Sequence, residues 1–139
     1  MLSFRVRVEA EVRPTEDEAK VEKAIKNIFP TLRLSREGDR LVGESTEIAA
    51  LDKIHMLLRR QKILDAARSI MLSGKGEKIK FMLNKQAAFV SWINFSEGES
   101  PLGPIVVTLE AGDLDRLINY LAPRTHEGKP IEEIEYREG

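Results

Sequence analysis

The chain has 139 residues, 42% of them apolar, with 22 Lys or Arg against 23 Asp or Glu and a formal charge of −1. That is about one domain's worth of chain with enough apolar residues to bury a core, which excludes a disordered protein. There is no Cys and no apolar run of about 18 residues, which excludes a disulfide framework, a thiolate metal site and a membrane-spanning helix.

Charges interrupt the N-terminal stretch at Arg5, so no secretory signal is expected and the cytosol is the expected location. Abundant Lys, Arg and Glu with few Gln and no Cys fits a thermophile. One domain is expected over 1–139, with residues from about 124 onward as a partly ordered acidic tail.

Residues 3–13 alternate Phe4, Val6, Val8, Ala10 and Val12 with charged residues, which predicts a strand with one buried face. Pro14 ends it. Thr15-Glu16-Asp17-Glu18 has the pattern of a capping box, and a helix carrying Ala19, Val21, Ile25, Ile28 and Phe29 follows up to Pro30. Residues 31–37 and 40–46 predict a hairpin turning at Glu37-Gly38-Asp39. Between Glu47 and Ser73 the apolar residues change phase: Ile48, Leu51, Ile54 and Leu58 point one way, Ile63, Leu64, Ala67, Ile70 and Met71 nearly the opposite way. Two helices with a break near Arg60 are therefore expected. Ser73–Glu77 is a loop, Lys78–Asn84 a strand, Lys85-Gln86 a tight connection, and Ala87–Phe95 a second strand. After a loop at Glu97–Pro101 come a strand at Ile105–Leu109 and a helix carrying Leu114, Leu117, Ile118 and Leu121, stopped by Pro123. The order β-α-β-β-α-α-β-β-β-α suits an α+β two-layer sandwich, a mostly antiparallel sheet with helices on one face.

His55 and His126 have no partners at metal-ligand spacing, so no metal site is expected and no cofactor. No Ser sits in a Gly-x-Ser-x-Gly turn, and Ser73-Gly74-Lys75-Gly76 lacks the spacing of a phosphate loop, so no catalytic residue is assigned. The charge distribution carries the functional direction. Residues 53–85 hold nine cations (Lys53, Arg59, Arg60, Lys62, Arg68, Lys75, Lys78, Lys80, Lys85) against Asp65 and Glu77, whereas residues 86–139 hold four cations against ten acids. A nucleic-acid backbone needs several such cations on one surface. The candidate RNA-binding residues are Arg59, Arg60, Lys62, Arg68, Lys75, Lys78, Lys80 and Lys85 for phosphates, and Gln86 or Asn84 for bases. Phe89, Trp92 and Phe95, placed in a strand, are expected in the core.

Several stretches resemble an archaeal family of uncharacterised proteins of this length. They are Gly43-Glu44-Ser45, the run from Arg59-Arg60-Gln61-Lys62 to Arg68, Leu83-Asn84-Lys85-Gln86-Ala87-Ala88, Leu102-Gly103-Pro104-Ile105, Leu121-Ala122-Pro123-Arg124-Thr125 and Gly128-Lys129-Pro130-Ile131. They cover most of the chain, in the same order. The resemblance implies a fold like that of the large-subunit ribosomal protein that binds 5S rRNA, a proposed RNA-binding role and dimers. The near-zero net charge departs from ribosomal proteins and favours a transient or local RNA contact over permanent ribosome residence.

Three functions follow as expectations. The first is an RNA-binding protein linked to translation or ribosomal RNA. The second is a non-catalytic module that dimerises through a sheet edge or its Val-rich strand. The third is an enzyme holding a small anion on Arg60, Arg68 and Lys85, with His55 or Asp65 moving a proton.

Overall fold

The strict alternation of the first strand sets the sheet. In the computed structural model, which describes residues 4–97 and 102–136, β1 (Arg5–Glu11) buries Val6, Val8 and Ala10 at 3% exposure or less and turns its charged residues to the other face. It pairs antiparallel with β3 (Arg40–Ser45) on one side and β5 (Pro104–Glu110) on the other. β2 (Leu34–Glu37) adds to β3 and β4 (Ile79–Asn84) adds to β5, giving the order β2-β3-β1-β5-β4, antiparallel throughout. Gly38, at φ +63°, supplies the left-handed turn between β2 and β3 that other residues adopt at a cost.

The inward residues of the sheet, among them Val8, Phe81, Leu83, Val107 and Leu109, share one core with the helices. α1 (Glu18–Ile28) contributes Val21, Ala24, Ile25 and Ile28, α2 (Asp52–Arg60) Ile54, Leu57 and Leu58, and α3 (Leu64–Ser73) Leu64, Ala67 and Met71. α5 (Leu114–Leu121) contributes Leu117, Ile118 and Leu121. Burying each such large side chain stabilises by about 1.5–3 kcal/mol. The opposite sheet face carries Arg7, Glu9, Arg40, Glu44, Lys78, Lys80 and Glu110. Its ion pairs include Arg7–Glu44 at 2.7 Å and Lys78–Glu110 at 3.4 Å. The expected two-layer α+β sandwich with helices on one face is the architecture found.

The break in the long helical stretch falls where the phase changes. α2 ends at Arg60, Lys62 takes φ +58°, and α3 starts at Leu64. A short 3-10 turn, Ile48–Leu51, leads into α2. At the far end of α3, Gly74 is required by contact: a Cβ there would lie 2.1 Å from the carbonyl oxygen of Lys80.

Three local expectations need correction. The capping box does not form, because α1 starts later. Asp17 is its N-cap, accepting from the Ala19 N–H at 3.0 Å, while Glu18 reaches Arg36. Ala87–Phe95 is not a strand. Asn84 caps a short helix, α4 (Lys85–Phe89), by accepting from the Ala87 N–H at 2.9 Å. Two neighbouring features favour that outcome: Ala88, 1% exposed, lets α4 lie close against α1, and Asn27 of α1 donates to the Ala88 and Phe89 carbonyls that end it. Only residues 94–96 keep strand character, covering the edge of β4 through Asn84 N–H to Asn94 O (2.8 Å) and Ser96 N–H to Met82 O (2.9 Å). The expected tight Lys85-Gln86 connection is the first turn of that helix. Most of the loop expected at Glu97–Pro101 lies outside the described residues. Beyond α5, β6 (Thr125–His126) pairs with β7 (Lys129–Pro130), and residues 131–136 run back along α2 and α5.

Candidate nucleic-acid interface

The cations of residues 53–85 meet different fates. Arg59 is spent inside the fold. Its Nε and Nη2 grip the two Glu133 carboxylate oxygens at 2.7 and 2.6 Å, and its Nη1 and Nη2 donate to the carbonyls of His55, Leu121 and Tyr120. It caps the C-terminal end of α5 and straps the tail to α2. Lys85, 5% exposed, is spent as well. Its Nζ donates to Glu11 O at 2.6 Å and Leu102 O at 2.7 Å and pairs with Glu16 at 3.0 Å. Arg68 donates to Asn119 Oδ1 (2.8 Å) and Ala122 O (3.1 Å). Lys75 pairs with Asp115 at 2.5 Å, and Lys78 with Glu110.

Arg60, Lys62 and Lys80 are exposed and make no side-chain hydrogen bond or ion pair among the described residues. Lys80 stands on the outer sheet face, away from the helices. The structure therefore does not gather these eight candidate cations into one patch. The anion-holding groups of the enzyme expectation do not meet in one site. Arg68 lines a hollow with Asn119 and Arg124, with Asp65 one turn before it on α3 and bonded to the Thr125 hydroxyl at 2.6 Å, whereas Lys85 lies below a groove at α1 and Arg60 is open to solvent. Among the described residues no cluster of His, Asp and Glu could hold a metal ion.

Two of the open cations adjoin a different feature. The Gln61 carboxamide, between Arg60 and Lys62, accepts from the Ile93 N–H at 2.7 Å and donates to the Ile93 carbonyl at 2.9 Å. That double bond ties the α2–α3 link to the segment after α4. There Ser91 takes φ +60°, and Val90 and Trp92 are turned outward, 69% and 55% exposed. On the far side of the segment is α1, whose Lys23 ammonium lies 4.8 Å from the centre of the Phe89 ring. Lys20 stands one turn before Lys23 and, with Gln86, rims a groove of about 450 Å³ between α1 and α4, floored by Val21, Ala24 and Phe89. The outward indole therefore stands on a segment tied on one side to the Arg60–Lys62 link and on the other, through Ala88 and Phe89, to α1.

Trp92, Lys20 and Lys23 are the functional candidates that sequence reasoning missed. Strand alternation puts Trp92 in the core, and the helix dipole accounts for the lysines of α1 without any further role. Gln86 is exposed and stands with them, whereas Asn84 is occupied as the cap of α4. Asn84 ahead of Ala87-Ala88 is the available signal, since a capped helix there ends the alternation that would bury Trp92.

At the tail, burial pushes the His55 imidazole below its ordinary value, and the Arg59 guanidinium adds to the effect. The Arg59 hydrogen bonds hold the Glu133 carboxyl below its ordinary range. His55 packs against Tyr120 with ring centres 4.7 Å apart and the planes tilted by 34°. These groups serve the strap.

A family model described as RNA binding matches residues 5–111. A UPF0201 protein of Metallosphaera sedula is 44% identical over 91% of this chain and 93% of its own length. One from Thermococcus onnurineus is 46% identical over 91% and 97%. A solved UPF0201 structure from Methanococcus jannaschii is 39% identical and superposes with a TM-score of 0.83 over 92% of this chain and 99% of its own. No helix among the described residues is long and apolar enough to cross a membrane. The chain belongs to the archaeal UPF0201 family, within the family whose model is described as RNA binding.

Proposed function

We propose that this protein binds RNA through the surface around Trp92, with Arg60, Lys62, Lys20 and Lys23 contacting phosphates. The observation that carries this reading is the outward Trp92, 55% exposed, on a segment between the open Arg60 and Lys62 and the exposed Lys20 and Lys23 of α1, of which Lys23 also rests on the Phe89 ring. Each phosphate neutralised by such a cation releases counterions, which is where most sequence-independent affinity comes from. Matching of residues 5–111 by the RNA-binding family model supports it, since that span includes this surface. Of the other candidates for phosphate contact, Lys75 and Lys78 hold exposed ion pairs that exchange at small cost, so they add to a field more than to a site.

The test is a titration with transfer RNA and ribosomal RNA at low and high salt. Affinity should fall steeply with salt, and replacing Arg60 and Lys62 together should flatten that dependence. Absence of binding at low salt would overturn the proposal.

A further inference from the structure

We infer that the RNA taken by this surface is single-stranded, with one unpaired base stacked on Trp92 and a neighbouring base in the groove between α1 and α4. The inference rests on the RNA-binding reading and goes beyond it by naming the class of RNA.

The indole is presented, not merely loose. Its turn is closed by Ser91 N–H to Ala88 O and Trp92 N–H to Ala87 O, both 2.9 Å, and the next residue is clamped by Gln61 through two bonds. A backbone so fully bonded holds a large apolar ring in water, where it gains nothing from the core. A ring held that way returns the cost only when something flat covers it. A base does so if it is unstacked. In an A-form duplex the bases already cover one another, and the wide minor groove offers hydroxyls and phosphates instead of open faces. A lone outward indole therefore discriminates in favour of single strands, where stacking tolerates every base.

The groove continues the same track. Its apolar floor of Val21, Ala24 and Phe89 suits a planar ring. The buried Lys85–Glu16 pair beneath it already has its partners and Asp17 at one end caps α1, so the polar groups at the rim that suit a nucleotide are Gln86 and Lys20, with the Thr15 hydroxyl beside them. An amide both donates and accepts, as reading a base edge requires, and an ammonium suits the phosphate. Lys23 lies above Phe89, which lines the groove and ends the helix from which the Trp92 turn leaves.

Trp92 is the sole tryptophan, so its fluorescence reports this one position. The experiment titrates the whole chain with a short unstructured RNA oligonucleotide and, separately, with its duplex. Affinity is followed in parallel by the anisotropy of labelled RNA. The single strand should quench Trp92 and the duplex should leave it unchanged. Trp92→Ala should weaken single-strand binding about ten-fold or more, with the circular dichroism of the fold unchanged. Gln86→Ala should alter the ranking among homopolymers. Equal quenching by both RNAs, or a Trp92→Ala variant that binds the single strand as well as the parent, overturns the inference while leaving RNA binding in place. If neither RNA binds at low salt, both readings fall. A blue shift of Trp92 emission with rising protein concentration, without RNA, places a second copy on the ring and overturns the inference too.

Discussion

Arg59 and Arg60 are neighbours in the chain and opposites in the fold. Arg59, its side chain 19% exposed, holds Glu133 and three backbone carbonyls, whereas Arg60 points into solvent beside the segment that presents Trp92. Lys85 and Gln86 repeat the contrast: the lysine is buried among three acceptors and the glutamine is open at a groove rim. Charge density along the chain therefore says little about charge available at the surface. What matters is whether a carboxylate or a helix end lies within reach after folding.

The contrast breaks most visibly at Lys85. Lys85→Met leaves Glu16 buried without its partner and the Glu11 and Leu102 carbonyls without a donor, so unfolding in urea should show a loss of about 3–5 kcal/mol. Arg59→Ala should cost about 1.5–3 kcal/mol and loosen residues 131–136, seen as faster hydrogen exchange there. Arg59→Lys should not restore protection, because a single ammonium cannot span both carboxylate oxygens and the α5 carbonyls.

Acid should act on the same strap. The folded-state values of His55 and Glu133 are both depressed, so in each case the unfolded chain binds the proton more readily. Their contributions are complete above the ordinary histidine range. The His55 share is lost as pH falls through that range toward its folded value, and the Glu133 share as pH falls through and below the ordinary carboxylate range. Thermal melts from neutral to acid pH should decline in those two steps, and Arg59→Ala should remove the second. The smallest stability effects belong to the open residues. Arg60→Ala should stay within about 0.5 kcal/mol of the parent. Lys62→Gly should stay within about 1 kcal/mol, because relief of the left-handed backbone offsets the added freedom of the unfolded chain.

Elements with a clean period are legible in the sequence. The alternation at Phe4–Val12 marks β1, Gly38 marks the hairpin turn, and the phase change at Arg60 marks the break between α2 and α3. Ala87–Phe95 is not legible in this way, because a short apolar run reads alike as strand or helix. Asn84 as a cap and the close approach of Ala88 to α1 decide it, and the second of these exists only in three dimensions. The site is half legible for the same reason. The basic excess at 53–85 draws attention to Arg60 and Lys62, which the fold leaves open, yet Lys20 and Lys23, the other cations of the proposed surface, come from an acidic stretch nearly forty residues earlier. Likewise, Glu133 reaches Arg59 from 74 residues away, a pairing no local pattern announces.

The central claim is tested most directly by comparing salt slopes of RNA binding for three proteins: the parent, Arg60→Ala with Lys62→Gly, and Lys75→Ala with Lys78→Ala. If the cations left open by the fold carry the phosphates, the first double variant should lower the slope of log K against log salt by roughly 0.7 for each single-strand phosphate it no longer neutralises. The second should leave it nearly unchanged. The reverse pattern, with the Lys75 and Lys78 pair setting the slope, would contradict it.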